Sequence, residues 1–177
     1  MVLRRVLSGR HHADDALQHR NDLNRLAAIY FERTRDLALV RELIAGDARI
    51  YDAASDDSAP ARDVWLPHAD ERVWYVTASE GERLATLFTL WPDNAVCWQI
   101  HCTRMFGGAV ARAWRAIGPW MFAASGCRRI VAAVPATNPA AVRCVRAAGF
   151  VEFGRNPRSF LKRGELVDQI LFGLSPS

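Results

Sequence analysis

Lysine is nearly absent from this sequence: 22 of its 23 basic residues are arginine, and Lys162 is the exception. No run of basic residues is long enough to indicate an arm that binds nucleic acid, so we do not expect a nucleic-acid partner. Arginine binds phosphate through paired hydrogen bonds. The composition is therefore compatible with an anionic ligand, although a GC-rich genome would produce the same bias.

Long apolar runs are also missing. No stretch of about 18 apolar residues occurs, which argues against a membrane-spanning helix, and Met1 to Arg10 lacks the apolar region of a secretion signal. The four cysteines include no C-x-x-C pair and no histidine at metal-ligand spacing, so we expect reduced, buried thiols and no metal site. A soluble, cytoplasmic protein is the resulting prediction. The cysteines are Cys97, Cys102, Cys127 and Cys144.

The length of 177 residues, half of them hydrophobic, suits one domain with one substantial core. We predict an extension over residues 1–24 and a single domain over residues 25–177. The extension contains potential metal ligands, but nothing in the sequence determines their geometry, so a solvated extension is the preferred interpretation. These potential ligands are His11, His12, His19, Asp14, Asp15 and Asp22.

The first part of the domain predicts a strand followed by helices and a loop. The apolar and aromatic run from Leu26 to Arg33 indicates the strand. Thr34 can cap a helix over Arg35 to Ala45, which Gly46 ends. A further helical turn is expected at Asp47 to Tyr51. The proline- and acid-rich segment 53–71 then predicts a long surface loop, and a loop of that length is often functional.

The remainder predicts a mixed sheet. Three strands with short turns indicate an antiparallel meander, after which strands and helices alternate as β-α-β-α-β. The fold class is therefore α/β, with a mixed sheet flanked by helices. The meander strands are 73–78, 84–90 and 95–103; the later strands are 129–134, 150–153 and 166–172, and the helices are 108–125 and 139–148.

A glycine-containing turn joins the third meander strand to the next helix. In Arg104-Met105-Phe106-Gly107-Gly108-Ala109, the glycines allow close approach of a ligand to the backbone. The first amides of the helix are unpaired, and the helix dipole is positive there, which favours phosphate oxygens. An ordinary helix-entry turn remains the alternative. Within this helix, Pro119 predicts a bend or a restart at Gly118-Pro119.

The second landmark is the helix 139–148. Asn138 is a good N-cap and Pro139 suits the first helical position. Gly149 suits the left-handed position after the helix, and Phe150 would anchor the next strand in the core. Each of these residues is explained separately by its role at the start or the end of a helix. The order of the residues along the chain and their distance from the glycine turn are informative beyond those separate roles.

Together these stretches resemble the GNAT superfamily of acyl-CoA N-acyltransferases. Arg104, Gly107 and Ala109 fit its R/Q-x-x-G-x-G/A pyrophosphate loop, and the N-P-A-A-V-R-C-V-R-A-A-G-F segment fits its Asn-to-Gly-Phe ending. The resemblance covers about five sixths of the chain, with specific motifs only in residues 95–153. It implies acetyl-CoA as co-substrate and an acceptor amine, with the thioester placed where the strand 95–103 splays from the strand 129–134. By the same resemblance, the cofactor-binding residues would be Arg104, Phe106, Gly107, Gly108, Ala109, Val110 and Asn138.

The sequence departs from the family pattern at a position that concerns catalysis. Many members of the family have a tyrosine seven residues after the asparagine, and this chain has Val145 at that position. His101 is the best-placed candidate base, since its ordinary pKa of about 6.5 suits proton transfer; a hydrogen-bonded core histidine is the alternative. Cys144 could donate a proton, or be a packed helix residue. Trp65 in the long loop could shape an acceptor pocket. Turn carboxylates, which we interpret as solvated charges, are Glu80, Glu82 and Asp93.

Two functions follow from these observations. The first is an N-acetyltransferase whose acceptor is selected by the loop 53–71 and the segment 154–164. The second is a non-catalytic protein of the same fold, a component of a phage head or tail located in the virion, which the sequence resembles in its N-P-A-A helix and its carboxyl-terminal G-E-L-V-D-Q-I-L-F-G-L. A homo-oligomer or an association with phage structural proteins would accompany the second function.

Overall fold

Seven strands and four helices form the described part of the chain, which comprises residues 28–104 and 108–176 of this computed structural model. None of these helices is long and apolar enough to cross a membrane. The strands are β1 (Ile29–Thr34), β2 (Trp74–Glu80), β3 (Arg83–Pro92), β4 (Cys97–Arg104), β5 (Arg129–Pro135), β6 (Val151–Lys162) and β7 (Glu165–Leu174). The helices are α1 (Leu37–Ala45), α2 (Ala48–Ala54), α3 (Ala109–Ser125) and α4 (Pro139–Ala147).

The strands form one mixed sheet with the order β1-β2-β3-β4-β5-β7-β6. Strands β2 to β4 make the antiparallel meander that the short turns predicted, and β1 pairs antiparallel with β2. The pair β4–β5 is parallel, and β5, β7 and β6 are again antiparallel neighbours. The predicted fold class, an α/β mixed sheet flanked by helices, is therefore confirmed.

Both faces of the sheet are covered, and the strand β3 shows why. Its successive residues Leu87 and Phe88 point to opposite faces and are both fully buried. Leu87 packs with Val40 and Tyr51 under α1 and α2. Phe88 belongs to a larger cluster under α3 and α4 and makes an edge contact with Trp114, at 5.3 Å between ring centroids. The central strands are therefore apolar on both sides.

The helix α1 begins two residues later than predicted, and Thr34 is not its N-cap. Asp36 caps the helix, because its carboxylate accepts a hydrogen bond from the Leu39 amide at 3.0 Å. The Thr34 hydroxyl instead accepts from the Asp36 amide at 3.1 Å. Both residues are good caps, and only the position at which the chain leaves β1 decides between them. The predicted end of the helix at Gly46 is correct.

Pro119 does not interrupt α3, so of the predicted bend or restart at Gly118-Pro119 the restart is wrong. The helix is continuous from Ala109 to Ser125. Proline removes one intrahelical hydrogen bond, but Ile117 and Met121 on either side of it are fully buried against the sheet. Burial of this apolar face offsets the lost bond. Gly118 packs tightly here, since a Cβ at this position would lie 2.3 Å from Leu174 Cδ2.

The strand β6 is much longer than the predicted strand 150–153. It extends from Val151 to Lys162 and pairs with β7 through two register shifts, at Glu152/Gly154 and Asn156/Phe160. Pro157 lies in the second shift, where its missing amide is tolerated. These bulges break the alternation of side chains, which is why the sequence pattern concealed the strand. The segment 154–164 is therefore mostly a hairpin arm rather than a separate loop.

The β6–β7 hairpin is attached to the end of α2. The Lys162 ammonium donates hydrogen bonds to the Asp52 carboxylate at 2.9 Å and to the Ser55 carbonyl at 3.0 Å, and it also bonds the Asp52 carbonyl. The Asp57 amide donates to the Leu161 carbonyl at 2.9 Å, and the Gly164 amide donates to Asp57 at 2.8 Å. The long loop 55–73 is thereby held against the hairpin at its start.

Replacement of Lys162 by methionine tests this attachment. The Lys162→Met variant removes three charge-assisted hydrogen bonds at a mostly buried ammonium, and we expect the free energy of unfolding to fall by roughly 1–2 kcal/mol in urea titrations. The control is Arg163→Met, because the neighbouring Arg163 is exposed. Equal stability of the two variants would contradict the structural role of Lys162.

Candidate functional site

The parallel strands β4 and β5 pair only at their beginnings. Three residue pairs join them: Cys97 with Arg129, Trp98 with Ile130 and Gln99 with Val131. Beyond Gln99 the strand β4 continues to Arg104, and β5 continues to Pro135, without pairing to each other. The predicted splay is present, and it opens towards the carboxyl ends of both strands, where ligands bind in open α/β sheets.

A cavity of about 610 Å³ lies at this opening, and we call it the cleft. His101 and Cys102 of β4 line one side, and Ala133 and Pro135 of β5 line the other. Asn138, at the start of α4, lies at the same edge. Residues of the segments 53–71 and 154–164, which the sequence analysis proposed to select the acceptor, also line the cleft; they are Ala53, Ala54, Ser55, Phe160, Lys162 and Arg163. The sequence did not predict the further lining residues Thr137, Glu165, Val167 and Gln169.

A second cavity of about 440 Å³ lies on the α1–α2 face of the sheet, and we call it the side cavity. It shares His101, Ala54 and Ser55 with the cleft, so the two meet at His101. Trp65, proposed from the sequence as a pocket residue, lines it and contacts Tyr51 edge to face, at 6.1 Å between ring centroids. The loop 55–73 thus forms one wall of the side cavity.

His101 lies between the two cavities, on the central strand β4. Its register partner on β3 is Thr89. Burial lowers the pKa of the imidazole below its ordinary value of 6.5, so the ring is neutral at neutral pH and can accept a proton. Among the described residues, no side chain or backbone group hydrogen-bonds to this imidazole.

The predicted anion-binding turn is described in part, since Phe106 and Gly107 lie outside the described residues. Arg104 ends β4, and Gly108 is the N-cap residue of α3, exposed and with an ordinary helical φ of −66°. Within residues 28–104 and 108–176, no side chain caps this helix, and a Cβ at Gly108 would meet no atom within 4 Å. The first helical residues, Ala109 and Val110, begin a 17-residue helix whose dipole is positive at this end.

Asn138 is the N-cap of α4, as predicted. Its Oδ1 accepts a hydrogen bond from the Ala141 amide at 3.0 Å. Because that oxygen is occupied, Nδ2 is the atom of this side chain that can donate to a ligand in the cleft. Gly149 has the predicted left-handed conformation, with φ of 88°, and Phe150 is buried beside Trp114. The second landmark therefore folds as its sequence indicated.

The position of the tyrosine that many GNAT proteins use is buried here. Val145 is 1% exposed and packs in the core with Val142. Cys144, the sequence-based candidate acid, is half-buried and does not line the cleft, whereas Cys102 does. Burial raises the pKa of the Cys102 thiol to about 12, and its sulfur lies 3.1 Å from the Thr86 hydroxyl. The thiol of Cys102 is therefore protonated at neutral pH.

The remaining candidates lie away from both cavities. Glu80 forms an ion pair with Arg112, and Asp93 accepts a hydrogen bond from Gln99 Nε2 at 2.6 Å. Within residues 28–104 and 108–176, no group of three or more His, Cys, Asp or Glu side chains is placed to hold a metal ion. The histidines and aspartates considered as metal ligands in residues 11–22 lie outside the described part.

The fold is similar to that of solved N-acetyltransferases. Spermidine N-acetyltransferase from Vibrio cholerae, in complex with CoA and spermine, has a TM-score of 0.67 at 15% identity, covering 83% of this chain and 95% of that chain. RimJ from Mycobacterium smegmatis, in complex with CoA-disulfide, has a TM-score of 0.65 at 16% identity, covering 85% and 83%. Ribosomal-protein-S5-alanine acetyltransferase from Vibrio fischeri has a TM-score of 0.64 at 16% identity, covering 83% and 92%.

These similarities show that the chain has the fold of the GNAT acetyltransferases. No protein-family model matches the sequence. No curated protein matches it either. The assignment of the fold therefore depends on structural similarity and not on a sequence match. Any conclusion about activity depends on the residues that line the cleft and the side cavity.

The lowered pKa of His101 predicts a specific dependence of stability on pH. As the pH falls below 6.5, this histidine gains a proton in the unfolded chain before it does so in the folded protein, so acid favours unfolding. We expect the thermal midpoint of the wild type to fall more steeply between pH 7.5 and 5.5 than that of His101→Gln. His68→Gln, which removes an exposed histidine, serves as the control and should keep the wild-type slope. A His101→Gln slope as steep as that of the wild type would contradict this assignment.

Proposed function

We propose that this chain is an N-acetyltransferase that binds acetyl-CoA in the cleft and accepts an amine through the side cavity. The observation that carries the proposal is the separation of β4 from β5 after Gln99, which leaves a cavity at the carboxyl ends of two parallel strands. The uncapped amino terminus of α3 follows β4 directly at the same edge. A diphosphate and a thioester need these two features side by side.

The residues at the open edge suit the diphosphate. Main-chain amides from Phe106 to Val110 would bind its oxygens, helped by the positive end of the helix dipole. The open space at Gly108 allows close approach of the ligand. Arg104 adds a positive charge next to this turn, and Asn138 Nδ2 would donate to the pantetheine amides. Acetyl-CoA, when bound, supplies an activated acetyl group as a thioester.

The separated strand provides the electrostatic environment for transfer. The N–H groups of β4 that face β5 beyond Gln99 have no strand partner, so they can stabilise negative charge on the thioester oxygen. His101, neutral and at the junction of the two cavities, takes the proton of the acceptor amine, directly or through water. The amine therefore meets the thioester where the side cavity joins the cleft.

The departing thiolate is protonated by solvent. Val145 has no ionisable group and is buried. Cys102 lines the cleft, but its pKa of about 12 makes it a weaker acid than an ordinary thiol of pKa about 8.5, so it does not protonate a thiolate. The cleft is open, which gives water access to the leaving group.

Thermal stabilisation by acetyl-CoA tests the cleft. At 100 times its dissociation constant a ligand adds about 2.7 kcal/mol, and a chain of this size gains about 2–4 °C per kcal/mol, so we expect a rise of about 5–10 °C. Gly108→Glu places a carboxylate against the diphosphate and should abolish the rise. Gly108→Gln, of the same size but neutral, should keep most of it.

The absence of any rise at millimolar acetyl-CoA would overturn the proposal. In that case a non-catalytic protein of the same fold, which Val145 in place of the family's tyrosine favours, becomes the better assignment. Self-association of the purified chain, or its recovery with virion head or tail proteins, would then support that alternative.

Loss of the imidazole tests catalysis. With the best acceptor in a panel of primary amines, we expect His101→Gln to lower kcat by roughly 10²–10⁴-fold with little change in the KM for acetyl-CoA. In the wild type, kcat/KM should fall on acidification only below about pH 6.5, because burial lowers the pKa of this histidine. Thiol release measured against pH gives both results. An unchanged kcat in His101→Gln would exclude the imidazole as base.

A further inference from the structure

We infer that the side cavity binds a primary amine joined to an aromatic or similarly apolar group, and that it does not bind a polyamine. This inference rests on the proposed function in one respect, namely that the bound amine is the acetyl acceptor. The binding preference itself follows from which side-chain atoms face the side cavity and which of them are already engaged within the protein.

Ring surfaces dominate the wall formed by the helices and the loop. Tyr51 of α2 and Trp65 of the loop pack edge to face there, and Tyr75 and Trp91 contribute two further rings from β2 and β3. Ile44 of α1 adds aliphatic surface. A cavity of about 440 Å³ with such a lining suits a small ligand that has one apolar end.

Three hydroxyl groups that line the side cavity are engaged by the protein. The Tyr51 hydroxyl donates to the Pro60 carbonyl at 2.5 Å. The Tyr75 hydroxyl accepts from the His68 amide at 2.8 Å. The Ser55 hydroxyl donates to the Tyr51 carbonyl at 2.7 Å. These bonds tie the loop to the helices and leave mainly ring faces for a ligand.

Asp70 is the one carboxylate among the residues that line the side cavity, and Arg72 neutralises it. The Arg72 guanidinium donates to both Asp70 oxygens, at 2.7 Å from Nη2 to Oδ2 and 3.2 Å from Nε to Oδ1. These bonds hold the pKa of Asp70 down to about 2. A polyamine carries several ammonium groups and needs several unpaired carboxylates, whereas this lining has no net formal charge from Asp70 and Arg72 together.

On the sheet side lie three polar side chains that make no hydrogen bond with another side chain in the described part of the molecule. Thr89 and His101 are register partners on β3 and β4, and Thr103 is two residues beyond His101 on the same face. Thr103 Oγ1 is buried and has no hydrogen-bond partner among the described residues. Because His101 also lines the cleft, this polar row lies beside the point where the acetyl group would be delivered.

The two sides of the cavity therefore define how a ligand is oriented. Its amine points to the Thr89–His101 row at the cleft, and its apolar group lies against the rings of Trp65 and Tyr51. An unbranched polycation has no apolar group for the rings and no carboxylate for its distal ammonium. The chain thus differs in acceptor class from the spermidine N-acetyltransferase whose fold it shares.

Calorimetric titration at pH 8 with 2-phenylethylamine and with spermidine tests the inference without requiring catalysis. We expect 2-phenylethylamine to bind at least tenfold more tightly than spermidine. Trp65→Ala should weaken 2-phenylethylamine binding by tenfold or more, and Trp65→Phe should restore it to within about threefold. The control is Leu66→Ala, since Leu66 is 71% exposed in the same loop and does not line the cavity.

The acetyl-CoA thermal shift, measured on the same variants, separates the two proposals. If Trp65→Ala keeps the shift, the cleft is intact and any loss of amine binding belongs to the side cavity. Tighter binding of spermidine, no measurable binding of 2-phenylethylamine, or equal binding by Trp65→Ala and Leu66→Ala would each overturn the inference, whether or not acetyl-CoA binds. Acetylation of 2-phenylethylamine that is reduced in Trp65→Ala through KM would extend the binding result to the acceptor role.

Discussion

The separation of β4 from β5 is the constraint on which the rest of the structure depends. Each strand keeps a full partner on its outer side: β4 pairs with β3 through seven residue pairs, and β5 pairs with β7 through six. The separation therefore removes only the inner hydrogen bonds, and both strands stay rigid while they diverge. The cleft, the positions of α3 and α4 after the two strands, and the access of His101 to both cavities all follow from this arrangement.

The alternation of side chains along β4 assigns its residues to different tasks. His101 points to the α1–α2 face, beside Thr89 and the side cavity, while Cys102 points to the α3–α4 face, where its sulfur contacts Thr86. One strand thus presents a neutral imidazole to the side cavity and a protonated thiol to the opposite face. In α4, burial of Val142 and Val145 on one face leaves Asn138 as that segment's contribution to the cleft. The titratable groups at the opening are therefore supplied by β4 and by the β6–β7 hairpin.

The loop 55–73 forms a wall of the side cavity, and the β6–β7 hairpin lines the cleft beside it. Lys162, the single lysine of the chain, joins them at the end of α2, and two tyrosine hydroxyls hold the loop over the sheet. The bonds that order the loop also engage the hydroxyls of Tyr51 and Tyr75, which line the side cavity. Stability of this wall and its apolar character consequently have the same physical origin.

Local signals in the sequence determined the helices, their order and most of the strands, because caps, glycines and apolar periodicity act over a few residues. Asn138, Gly149 and the Gly108 helix start are examples, and they also indicated the fold class. Packing decided three other features: the use of Asp36 rather than Thr34 as the N-cap of α1, the continuity of α3 through Pro119, and the bulged strand β6. In each case burial and strand pairing outweigh the local preference of the residues. The side cavity was decided in the same way: Tyr51, Trp65 and Asp70 come from α2 and the loop after it, whereas His101 lies on β4, and only the tertiary structure determines which of their polar atoms remain available to a ligand.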